Sequence, residues 1–107
     1  MAFDVDTVGQ DMLVAIKGVL LDRWAASQEA IETFLEGQKK RLKLIADARI
    51  EGEIDDEFVE ERLSEEKILL QSEMAAIRVI SVAAAQQAAN AAVGIIQKAI
   101  KTALEVI

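Results

Sequence analysis

The chain has 107 residues, enough for one small domain (1–107), and contains no Pro, Cys, His or Tyr. Without Cys there is no disulfide framework or thiolate chemistry, and without His the commonest metal ligand and neutral-pH general base are missing. A net charge of −7 works against binding nucleic-acid phosphates or an anionic membrane.

The rest of the composition reads as all-α. Ala, Glu, Ile, Leu and Lys dominate, and aromatic residues make up only 4%. The opening Met1–Asp6 is acidic where a secretory signal would be basic. A cytoplasmic chain is therefore expected, with signal-independent secretion left open.

The first helix is predicted over about 7–51. Thr7 and Gln10 form a capping-box pattern, and Asp4, Asp6 and Asp11 favour a positive helix N-terminus. A ridge then runs Leu13, Ile16, Leu20, Trp24, Ser27, Ile31, Leu35, Gln38, Leu42, Ile45, in steps of three and four. Gly9, Gly18 and Gly37 each weaken the helix by about 1 kcal/mol relative to Ala. None is paired with a second breaker, so bends at most are expected.

The turn follows at 52–55. Gly52 suits a left-handed C′ position, with Arg49 in the last helical turn. Asp55 is the predicted N-cap of the next helix, with Asp56 and Glu57 in its first turn. Ile54 and Val59 fit a hydrophobic staple. So short a connection makes the two helices antiparallel neighbours.

The second helix is predicted over about 56–107. It carries a small ridge (Ser81, Ala84, Ala88, Ala92, Ile95, Ala99, Ala103, Val106) and a larger one (Val82, Ala85, Ala89, Val93, Ile96, Ile100, Leu104, Ile107). One antiparallel partner covers about one ridge. The expected assignment gives Leu13, Leu20, Trp24, Ile31, Leu35, Ala84, Ala88 and Ile95 to packing within a long helical hairpin. It gives Val82, Ala85, Ala89, Val93, Ile96, Ile100 and Leu104 to an oligomer interface. Two hairpins would then pair into a four-helix bundle, most simply a homodimer. Gln86, Gln87 and Asn90 either face solvent or are buried amides that fix register.

About a turn centred near Ile54, Trp24 faces Ala83–Ala85 and Leu13 faces Gly94, setting large side chains against small ones. Residues 36–73, around the turn, hold seven of the twelve Lys/Arg and twelve of the nineteen Asp/Glu. In this register Lys39, Lys40, Arg41 and Lys43 face Glu60, Glu61, Glu65 and Glu66.

Nothing here assembles into catalytic chemistry. The acidic run from Asp55 to Glu66 lacks an EF-hand-like loop and reads as a solvated face with helix-capping charge. Di-iron bundles need Glu-x-x-His pairs. Lys39–Lys43 lacks aromatic residues for base stacking. No catalytic, cofactor-binding or metal residues are assigned, and no enzyme activity, cofactor or nucleic-acid partner is expected. Trp24-Ala25-Ala26 lacks the glycine of the Trp-x-Gly turn found in small secreted helical hairpins, and it falls within a helix, so no family is identified.

The expected function is that of a non-enzymatic structural or interaction protein that self-associates through the apolar ends of a hairpin, with a further protein partner left open. The alternative is a secreted or membrane-active hairpin that oligomerises or inserts through residues 79–107. The charge-free run Val79–Gln97 motivates it, although Ser81, Gln86, Gln87, Asn90, Gly94 and Gln97 make that run poor for a bilayer.

Overall fold

A computed structural model describes residues 3–106, and the predicted helix end at Ile107 lies outside them. The fold is all-α. Four α-helices run α1 (Val5–Leu20), α2 (Trp24–Ile50), α3 (Asp56–Ala75) and α4 (Val82–Glu105), and a 3₁₀ turn at Leu21–Arg23 joins the first two.

The antiparallel arrangement about Gly52–Asp55 is present, and each long helix is folded once more near its middle. Gly52 takes φ +81° with no side chain to strain, and Glu53 N–H closes the turn on the Ala48 carbonyl at 2.8 Å. The Asp55 carboxylate accepts from Phe58 N–H at 2.9 Å and starts α3. At the far end, α3 stops at Ala75. Ile77 and Ile80 N–H close two short turns, Ile80 is buried, and the Ser81 hydroxyl accepts from Ala84 N–H to start α4.

Helix α1 begins earlier than its sequence pattern suggests. Asp4, not Thr7, is the N-cap: its carboxylate accepts from Asp6 and Thr7 N–H, while the Thr7 hydroxyl donates to it at 3.0 Å. A carboxylate at this position satisfies two free backbone donors and meets the positive end of the helix. Thr7 therefore lies inside α1.

The helices run up, down, up, down. Lys39 reaches back to Asp6, Arg49 reaches Asp56, and Leu63 lines the same cleft as Gln97. The most extensive packing is α1 on α4, and α1 and α3 lie across the diagonal. At 1.5 Å per residue, the 27 residues of α2 extend about 40 Å, close to the 41 Å length of the molecule. Helix α1, with 16 residues, spans little more than half of that. The bundle therefore has four helices at the end bearing the turns 21–23 and 76–81, and three at the Gly52 end.

One hydrophobic core runs through both halves. It includes Met12, Ile16, Leu20, Ile31, Leu42, Leu63, Leu70, Met74 and Ile96, with Ala85, Ala88, Ala89, Ala92 and Ala103 fully buried beside them. From Ala85 to Ile100 the second ridge of the C-terminal half is thus covered by the chain itself. Folding α1 back supplies the helix that a second hairpin was expected to bring.

Candidate functional site

The ridge assigned to an oligomer interface needs correction. Ala85, Ala89, Val93, Ile96 and Ile100 are buried within one chain, Leu104 is half-buried, and only Val82 is exposed. These residues face α1 and the other helices of the same chain, so they offer no surface to a partner. Of the residues assigned to packing within the hairpin, Leu20, Trp24, Ile31, Leu35 and Ala88 are buried. Leu13, Ala84 and Ile95 are half-buried. Gln86, Gln87 and Asn90 face solvent.

Exposed apolar side chains occur at both ends and along the sides: Leu44, Phe58 and Val106 toward the Gly52 end, Val14, Ile68 and Leu69 on the helices between, and Leu21, Val79 and Val82 in or beside the turns of the four-helix end. Leu21 and Val82 are about 70% exposed, and Val79 is 44% exposed. The up-down order of the helices brings the turns carrying them to the same end. Asp22, Arg23 and Arg78 are exposed in those turns, so the end holds both signs of charge.

Leu21 is unusual in its backbone as well. It sits at φ +53°, ψ −117°, the only positive φ at a non-glycine among the described residues. Its N–H bonds the Lys17 carbonyl and ends α1, and its own carbonyl accepts from Trp24 N–H. A leucine held there costs on the order of 1–3 kcal/mol. Its side chain recovers little of that through burial, being mostly in water. Neither the 3₁₀ turn nor α2 has a side-chain N-cap, and the one side-chain bond to the turn is the Ser27 hydroxyl donating to the Arg23 carbonyl at 2.9 Å.

A second polar feature lies inside. Gln38, 1% exposed, donates from Nε2 to the Glu66 carbonyl and carboxylate, and Arg41 Nε pairs with the same carboxylate at 2.9 Å. The pattern had shown Gln38 as a polar member of an apolar ridge, which is the signal for this contact. Of the basic run Lys39–Lys43, only Arg41 joins α3 by an ion pair. Lys39 pairs with Asp6 and Glu36, and Lys43 with Asp47.

Between α3 and α4 an open cleft of about 400 Å³ has Val59, Leu63 and Ile100 as its floor and Asp56, Glu60 and Lys101 on its rim. The floor residues are already buried, and no nucleophile and base converge on the cleft. Among the described residues no three Asp or Glu side chains come together to hold a metal ion, and no helix is long and apolar enough to cross a membrane. The charge-free run Val79–Gln97 is itself divided, since α4 begins only at Val82.

No family model, curated protein or solved structure matches this chain.

Proposed function

We propose that the chain is a non-enzymatic helical-bundle protein that acts by self-association through the end bearing Leu21, Val79 and Val82. The observation that carries the reading is Leu21, a leucine whose backbone is strained and whose side chain is left in water. Backbone outliers of this kind cluster at functional and switch sites, and the exposed aliphatics of the two turns at this end give a partner an apolar contact. A second copy fits this end. Asp22 set against Arg23 and Arg78 gives unlike charges that a two-fold axis can pair between chains.

The molecule is 23 × 19 Å across its long axis, so an end face offers about half the ~800 Å² per partner of a standard stable interface. Simple end-to-end contact is accordingly weak and concentration-dependent. Sedimentation velocity over a wide concentration range tests the reading. The expected result is a monomer–dimer equilibrium that Val79→Glu with Val82→Glu abolishes while the helical content of the monomer is unchanged. A chain that stays monomeric at every concentration would overturn it.

A further inference from the structure

We infer that two copies of this chain exchange α1, with Leu21–Arg23 opening into continuous helix so that each α1 packs on the partner's α4. The inference rests on the end-to-end reading above and supplies the area which that contact lacks.

Four observations point to it. The turn contains neither Gly nor Pro, so nothing in residues 21–23 forbids a helix there. Leu21 is strained in the folded-back form and would be relieved in a helix, where leucine is a good helix former. The buried ridge keeps its phase across the break: Ile16, Leu20, Trp24, Ser27 and Ile31 follow at steps of three and four and are all buried. A continuous helix therefore shows the same apolar face on both sides of the turn. Finally, α1 makes its most extensive contact with α4, and every part of that contact can be remade by an identical α1 from another chain.

The direction of the helices also agrees. Set two bundles end to end about a two-fold axis passing between α1 and α2. An α1 that continues α2 straight across the junction then runs in the same sense as the α1 it replaces. The bridge from Lys39 to Asp6 forms between chains instead of within one. Leu21, Val79 and Val82 come together at the junction. The cost is unchanged core contact with a lost turn, which is why exchange of identical elements is an inexpensive route to dimers.

The test uses the full chain carrying Gln10→Cys and Glu36→Cys. Both positions line the cleft between α1 and α2, and the native chain has no cysteine to interfere. A short bis-maleimide linker is applied to the concentrated protein and the products are run on a denaturing gel. Exchange gives a covalent dimer, because each α1 is linked to the α2 of the other chain. Leu21→Gly, which takes the folded-back conformation without strain, lowers the covalent-dimer yield at least tenfold. Leu21→Ala keeps the strain and trims the end patch, and it retains the covalent dimer.

A species that sediments as a dimer but whose links all lie within single chains would overturn the exchange and leave the end-to-end reading standing. A monomer at all concentrations, linked only within the chain, would overturn both. A covalent-dimer yield that Leu21→Gly leaves unchanged would overturn the role of the hinge.

Discussion

Gln38 on α2 holds Glu66 on α3 at two points, donating to its backbone carbonyl at 3.0 Å and to its carboxylate at 3.1 Å. Both side chains are buried, and Arg41 covers the carboxylate from the solvent side. The Gln38 Oε1 is buried with no partner. Turning the amide over would set that oxygen against two acceptors, so its orientation is fixed by the contact. The two partners therefore differ in what their loss leaves behind. Glu66→Ala keeps the bond from Gln38 Nε2 to the residue-66 carbonyl but removes the carboxylate that Gln38 and Arg41 share, and should cost about 2–3 kcal/mol. Gln38→Leu leaves Glu66 paired with Arg41, removes the orphaned oxygen, and should cost less than about 1.5 kcal/mol. Urea melts of the two variants check the order, and equal costs would show that the polar contact does not hold α2 to α3.

Trp24 is 9% exposed at the start of α2, next to the turn. Truncation to Ala removes the largest side chain of the four-helix end. A loss of about 3–5 kcal/mol is expected, read as a lower melting temperature. A variant that melts like the parent would show that the indole does not support this end.

Two glycines should respond oppositely to substitution. A Cβ built on Gly9 would lie 2.8 Å from Lys39 Cδ, because the lysine stem crosses α1 there on its way to Asp6. Gly18 has nothing within 4 Å. Gly18→Ala should stabilise by about 1 kcal/mol through helix propensity alone. Gly9→Leu must expel the lysine stem and should destabilise by about 1–3 kcal/mol. Thermal melts of the pair separate propensity from packing.

The cap of α1 gives a pH dependence with a definite sign. Hydrogen bonds from the Thr7 hydroxyl and from the Thr7 and Asp6 N–H groups hold the Asp4 carboxyl below its ordinary value of 3.8. A group with a depressed folded-state pKa stabilises the fold above its unfolded pKa and loses that contribution as pH falls through the folded one. Acidification below about pH 4 should fray α1 first, and Asp4→Asn should remove this pH step while keeping much of the cap. Amide exchange of Val8 and its neighbours, followed against pH in both proteins, measures it. An identical acid response in the two would exclude Asp4 as the cause.

Much of the core was legible from spacing. Of the ten ridge positions from Leu13 to Ile45, eight are buried and the first and last are half-buried. Gly52 and Asp55 mark their turn because a left-handed residue and an N-cap have local chemistry of their own. The break at Leu21 has no such chemistry. Nothing in Leu21-Asp22-Arg23 opposes a helix, and the gain that bends the chain there is tertiary, the covering of α4 by α1. The second break did leave a trace in Ser81, whose hydroxyl caps α4 three residues on, but a small residue on an Ala-rich ridge reads equally well as packing. The candidate surface was harder still. Sequence pattern identified residues with apolar faces, and the extra fold in each helix decided which of those faces stay outside.

The alanine face of α4 has a consequence for how firmly the molecule is set. Ala85, Ala88, Ala89 and Ala92 are fully enclosed, yet an alanine has no χ rotamers to surrender when it is enclosed. On that side of the contact, bringing α1 into place freezes almost no torsions. Releasing it recovers almost none, so little side-chain freedom is gained there when the helix departs.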